Sequence, residues 1–300
     1  MPRVSVIIAT HNRPNLLPRA VESAHAAGSD VEVVVVDDAS TDEIAELCRS
    51  LRQIKYVRLE RNQRVAGARN VGLVASTGDY LSFLDDDDTR LPGSLDLQIN
   101  LLEGNPAAAL AYGQALYATR NGEVTRDFYP RDCPQGDLFW QLLTQNFIPC
   151  GSAVFRRSAI ARLGLLDDQI PGIDDWDMWI RIAELCPIAA VHQPVVTWRR
   201  SDPRSGQGTS DAATLVLEST RKFKNSWMKL PRAAAASRRF RREAWSQFSD
   251  NMVEHALWQS ARSVAGGKPF RPLKNLSVLP QLDPRAVARI ITHRLVGRSK

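Results

Sequence analysis

The chain has only four cysteines in 300 residues, and Cys48, Cys133, Cys150 and Cys186 stand far apart, with no CxxC pair and no histidine at zinc spacing. That excludes a zinc finger and a disulfide scaffold, and the expectation is free thiols in a reducing, cytoplasmic compartment. No apolar run is long enough to cross a bilayer, and the one that follows Met1-Pro2-Arg3 is too short for a secretory signal. The segment "ATHNRPN" after that first run contains no glycine, so the glycine-rich phosphate loops of P-loop enzymes and dinucleotide-dependent dehydrogenases are missing. There is no internal repeat.

What is present is divided by charge. Residues 1–200 carry 20 basic and 26 acidic side chains, a net −6, whereas residues 201–300 carry 19 and 7, a net +12. The two parts therefore face different partners. "RSDPRSGQGTSD" between them has the composition of a linker, which sets expected domains at 1–205 and 206–300.

Short apolar runs alternate with helical patterns through the first part, the arrangement of βα units around a mostly parallel sheet. "VSVIIAT" (4–10), "VEVVVVDD" (31–38), "YVRLE" (56–60) and "YLSFLD" (80–85) read as strands, with helices over 15–28, from a Ser40–Glu43 capping box to about 53, and over 66–76. Asn121-Gly122 marks a hairpin, so the later sheet is mixed. "GDLFWQLLTQN" (136–146) and "DDWDMWIRIAELC" (174–186) read as helices, and "AAVHQPVVTWR" (189–199) as a closing strand.

The acids carry the chemistry. Asp85 to Asp88 follow a buried strand directly, and like charges so placed call for a cation or a ring of donors. In open α/β sheets ligands bind beyond the carboxyl ends of strands, where Asp37 and Asp38 also fall. Oxygen-only ligands suit magnesium or manganese, which leave positions to water and phosphate oxygens. Asp85 and Asp87 form the D-x-D pair, and Asp86 or Asp88 could share the task; equally, Asp88 or Thr89 could cap the helix after Pro92.

Four ordered blocks, "VSVIIATHNRP", "VVVVDDASTD", "GARNVGLVASTGDYLSFLDDDDTRLP" and "GIDDWDMWIRIAE", resemble glycosyltransferase family 2, the inverting nucleotide-sugar transferases of GT-A fold. The resemblance spans about residues 3–200. It implies an α/β, Rossmann-like, mostly parallel mixed sheet flanked by helices, to which this chain adds a basic helical C-terminal extension. It further implies that Asp38 accepts a hydrogen bond from the nucleotide base and that Ala9, Thr10 and Asn12 line the same pocket. Arg69 matches a basic position near the donor, Asp85 and Asp86 approach the ribose or metal water, Asp87 binds the metal, and Asp175 is the catalytic base.

Each assignment has a plainer counterpart. Asp174 and Asp175 would also serve as helix N-terminal acids, Asp37 as a turn former, Arg69 as a surface residue, and Trp176 and Trp179 as core rather than sugar-stacking aromatics. His11, His25 and His192 read as structural. Many relatives carry a histidine soon after the last strand; this chain has Arg199, Arg200 and Ser201 there, and an arginine can neutralise a diphosphate directly.

The function so implied is metal-dependent, inverting transfer of a sugar from a nucleotide diphosphate, expected to be UDP, to a hydroxyl of a glycan or lipid-linked acceptor in cell-surface polysaccharide or glycoconjugate synthesis. A nucleotidyltransferase and a catalytically degenerate glycan-binding scaffold are the alternatives. For the basic tail, with "RKFKNSWMK", "RRFRR" and "AVARIITHRLVGR", two readings stay open: an anionic membrane surface at the inner face, or helices packed with their charge outward. Nucleic acid is disfavoured, since no recognised module accompanies the charge.

Overall fold

The computed structural model describes residues 3–119, 121–199, 212–265 and 271–296. In chain order the elements are β1 Val4–Thr10, α1 Leu17–Ala26, β2 Val31–Asp37, α2 Ile44–Ser50, β3 Ile54–Arg58, α3 Arg64–Ala75, β4 Tyr80–Asp85, β5 Thr89–Arg90 and α4 Ser94–Gly104. They continue as β6 Leu110–Ala118, β7 Val124–Tyr129, α5 Phe139–Thr144, β8 Val154–Arg156, α6 Arg157–Leu163, α7 Asp174–Leu185 and β9 Ile188–Arg199. The remainder is helical: α8 Ala212–Asn225, α9 Pro231–Ala235, α10 Arg238–Ala265, α11 Arg271–Leu276 and α12 Pro284–Val296.

The strands form one sheet in the order β3-β2-β1-β4-β8-β6-β9-β5, with β7 paired to β6. β3, β2, β1 and β4 run parallel, whereas β8 is antiparallel to both β4 and β6. The near-continuous apolar runs of β1 and β2 follow from burial on both faces: Val6, Ile7, Ile8 and Val33 to Val36 are all closed to solvent. Helix α3 lies directly on these two strands. A Cβ added to its Gly72 would stand 2.2 Å from Ile7 Cγ2 and 3.3 Å from Val36 Cγ2, so only glycine permits that approach.

The expected hairpin is present, with β6 and β7 antiparallel and Gly122 at φ +84°. The expected capping box is not. Ser40 is drawn inward, its amide donating to Asp37 Oδ1 at 2.8 Å and its hydroxyl accepting from the Asn12 amide at 3.0 Å. Helix α2 starts instead after Asp42, whose Oδ1 accepts from the Ile44 amide at 3.1 Å. Nor do Asp88 or Thr89 cap α4, which begins after Gly93 at φ +69° with no side-chain cap.

The chain divides into two compact units. The first comprises residues 1–138, 147–169 and 174–207 and holds the sheet; the second gathers 139–146, 170–173 and 208–300. Within the second, Ala244, Phe248, Met252 and Ala256 form the buried face of α10 that their helical spacing indicates, with Phe248 packed on Phe223 at 4.5 Å between ring centroids. α12 is tied to α10 through Arg289, whose Nη2 reaches Asp250 at 2.6 Å. The first turn of α10 presents Arg238, Arg239, Phe240, Arg241 and Arg242 to solvent. Cations there oppose the helix dipole, so the sequence at this end is not one that helix stability alone selects. No helix among the described residues is long and apolar enough to cross a membrane.

Candidate active site

Strand register assembles the site. Ala9 of β1 pairs with Asp85 of β4 and Thr10 with Asp37 of β2, so the carboxyl ends of three neighbouring parallel strands finish level, the place where such sheets bind ligands. Closing the next turn, the Asp88 amide donates to the Asp85 carbonyl at 3.0 Å. The turn folds Asp88 back over the strand end, so Asp85, Asp87 and Asp88 each offer a carboxylate oxygen within 4.8 Å of the others. An oxygen-only donor set of that size fits magnesium or manganese.

Asp86 points elsewhere. It is buried, accepting from Thr10 Oγ1 at 2.8 Å and from Arg13 Nη1 at 2.8 Å. Burial pushes its carboxyl up to about 6 despite the Arg13 charge. The same Arg13 nitrogen lies 3.1 Å from Asp87 Oδ2. Burial, then the Asp85 charge, raises Asp87, and the charges of Arg13 and Arg199 oppose the rise. Asp88 rises well above the carboxylate range for the same reasons, burial first, and its Oδ1 accepts from the Arg199 backbone amide at 2.8 Å. Arg199 thus reaches the cluster; Arg200 and Ser201 lie outside the described residues.

A second acid pair joins the first through one arginine. Arg69, nearly inaccessible and stacked over the Phe83 ring at 5.2 Å, donates from Nη1 to Asp174 Oδ2 at 2.8 Å and from Nη2 to Asp85 Oδ1 at 2.6 Å. It is not a surface residue. Asp175, next in α7, is half-buried and accepts from the Trp176 amide at 2.7 Å. Its carboxyl is pushed up to about 7, by burial first, then by the Asp174 charge, with Arg69 opposing and Asp85 adding to the rise. The Cys150 thiol feels the same charges and is held well above its ordinary range, chiefly by burial.

The pocket at β1 and β2 is built from polar loops. Asp38 is buried, takes the Gln63 amide on Oδ1 at 2.6 Å, and is raised by burial. Its neighbour Asp37 is a turn former, as its plainer reading has it: Oδ1 holds the Ser40 amide, while Tyr56 and Arg58 donate to Oδ2 at 2.7 and 2.9 Å. Asn12, at φ +54°, accepts the Thr41 amide on Oδ1 at 2.8 Å and so pins the β1 loop to the β2 loop. His11 Nδ1 meets the Asp38 carbonyl at 2.8 Å. Trp176 and Trp179 are buried core, the latter edge-on to Phe155.

Arg13 and Asp88 are the residues that sequence reasoning left without a definite role. Arg13 directly follows "ATHN", but nothing in one sequence says which acids it meets. The choice between Asp86 and Asp88 depends on a turn that four identical residues do not reveal.

Comparison with known proteins agrees with this geometry. The profile "Glycosyl transferase family 2" matches residues 5–164. A Campylobacter jejuni GalNAc(5)-diNAcBac-PP-undecaprenol beta-1,3-glucosyltransferase is 33% identical over 135 residues, 43% of this chain and 42% of that protein. Escherichia coli WfaP, a UDP-Glc:alpha-D-GlcNAc-diphosphoundecaprenol beta-1,3-glucosyltransferase, is 25% identical over 61% of this chain and 70% of its own. The matched regions cover between 15% and 70% of the curated relatives' lengths. Among solved structures, the mannosyltransferase PcManGT of Pyrobaculum calidifontis, in complex with GDP-Man and Mn2+, superposes with a TM-score of 0.60 at 21% identity, over 100% of this chain and 81% of its own. The fold is GT-A, and with its profile covering more than half the residues, the chain belongs to glycosyl transferase family 2.

Proposed function

We propose that the chain transfers a sugar, with inversion, from a nucleoside diphosphate donor to a hydroxyl of a glycan or lipid-linked acceptor, in a reaction that depends on manganese or magnesium. The observation that carries this is the Arg69 bridge, which sets Asp174, beside the base Asp175, against Asp85 of the acid cluster. Transfer of this kind needs a base near an electrophile that stabilises a leaving diphosphate, and the bridge joins the two.

In this reading Asp85, Asp87 and Asp88 hold the divalent cation, which supplies Lewis-acid stabilisation of negative charge on the departing diphosphate. Asp38 and the Ala9–Asn12 loop receive the base and ribose, while Asp86 supports the cluster from within rather than touching the donor. Ionised Asp175 takes the proton of the acceptor hydroxyl as its oxygen bonds to the anomeric carbon and the bond from that carbon to the diphosphate breaks, its electron pair leaving with the diphosphate. Attack from the face opposite the leaving group inverts the centre. UDP is the preferred nucleotide because the WfaP name specifies UDP-Glc, although PcManGT carries GDP-Man.

The acceptor reading draws on relatives whose names specify undecaprenol diphosphates; an acceptor of that kind would bring the enzyme to a bilayer. The arginine-rich first turn of α10, with exposed Phe240, supports peripheral binding to anionic lipid. Nucleotide release from a panel of UDP- and GDP-sugars, with manganese and with chelator, tests the reaction; no release from any donor with metal present would refute it. Cosedimentation with vesicles rich in anionic lipid tests the surface, and equal binding to neutral vesicles would remove that part.

A further inference from the structure

The reaction as described makes no use of Arg13. Its guanidinium is mostly buried, with 14% of the side chain accessible. Nη1 is shared between Asp86 Oδ1 at 2.8 Å and Asp87 Oδ2 at 3.1 Å. Thr10 Oγ1 donates to the other oxygen of Asp86, Oδ2, at 2.8 Å, so both of its carboxylate oxygens are held. A chain of contacts thus runs from the end of β1 through Thr10, Asp86 and Arg13 to Asp87, and only the last of these acids belongs to the three-carboxylate cluster.

Two effects of opposite sign follow. A fixed positive charge beside Asp87 repels an incoming divalent cation, which on Coulombic grounds alone makes Arg13 a competitor of the metal. An ion pair at 3.1 Å on one oxygen of a carboxylate also restrains its rotation, and partners that orient metal ligands in this way are typically worth about 10- to 100-fold in metal affinity. Asp87 stands in a four-residue acidic turn, where repulsion from Asp85 and Asp88 would turn an unheld carboxylate toward solvent. Orientation therefore outweighs repulsion.

We infer that Arg13 is a positioning residue for the metal-binding carboxylate Asp87, holding it toward Asp85 and Asp88 from a base made by Thr10 and Asp86. The inference rests on the metal-dependent reading of the acid cluster and adds a residue to it. Arg13 touches neither sugar nor acceptor in this role.

Manganese titration of the donor-free full chain, read by the electron paramagnetic resonance signal of free Mn2+, separates the two effects. Arg13→Ala should weaken binding by about 10- to 100-fold, although it removes a positive charge. Arg13→Gln, whose uncharged amide is too short to reach Asp87 from that position, should lose affinity as Arg13→Ala does while keeping more of the side chain's bulk. Tighter or unchanged binding in Arg13→Ala would overturn the inference while leaving the metal site intact. Should Arg13→Ala fail to fold, Arg13→Gln decides: affinity at or above wild type overturns the role, and a loss supports it. Asp87→Asn is the reference, expected to abolish the high-affinity site; wild-type protein that binds no manganese would overturn both this inference and the metal-dependent reading.

Discussion

Arg69 donates to Asp174 at 2.8 Å, and both side chains are almost entirely shut off from water, at 6% and 3% accessible. The ion pair joins residues 105 positions apart and connects α3 to the start of α7. Replacing Arg69 with Met leaves Asp174 buried without its cation, and breaking a pair in that way costs about 3–5 kcal/mol. A fall of that size in the urea unfolding free energy is expected. An unchanged midpoint would mean that solvent reaches Asp174 as soon as the arginine is gone.

Asp175→Asn removes the proposed base but keeps size and most contacts. Turnover should drop by about 10²- to 10⁴-fold, with nucleotide-sugar affinity measured by calorimetry unaltered. Weaker donor binding with undiminished turnover would instead place Asp175 in the donor pocket.

As the proposed base, the same carboxyl should set a pH profile. A carboxylate accepts a proton only when ionised, and Asp175 in the free protein is raised to about 7, so kcat/KM should fall as pH drops through that value and level off above it. The Asp174 charge is the second cause of the rise after burial. Asp174→Asn should therefore move the acid limb to lower pH. A limb that stays in place would assign it to another group.

Gly72 tests the contact that seats α3. An alanine methyl there would meet Ile7 Cγ2 at 2.2 Å, and overpacking of this kind costs about 1–3 kcal/mol. Since α3 also carries Arg69, Gly72→Ala should lower turnover as well as the melting temperature. Ile7→Ala removes the opposing methyl, so the double variant should be less destabilised than the two single losses added together.

Much of the fold was legible because burial leaves a plain signature. The apolar runs of β1, β2 and β4, the hairpin at Gly122 and the acids that open α7 all appear where spacing and composition put them. The missed features depend on tertiary choice. Ser40-Thr41-Asp42-Glu43 has the letters of a capping box, yet Ser40 satisfies Asp37 and Asn12 instead, a local preference overridden by a loop from another strand. Trp176 is core, as helical spacing favoured. In sequence Arg69 matches a donor-side cation, and nothing local to "GARN" announces that both of its arms are committed to acids from two other segments. β4 ends at Asp85, so the turn of Asp86 to Asp88, and not strand alternation, sends Asp86 inward and brings Asp88 back to Asp85 and Asp87.

The bond from the Arg199 amide to Asp88 has a genetic corollary. Its donor is main chain, so every amino acid except proline can supply it, whatever side chain position 199 carries. A saturation screen scored on this contact would record that position as permissive and its acidic counterpart as intolerant, though both hold the same hydrogen. Proline alone would unmask the dependence, and tolerance there would be a poor guide to structural importance.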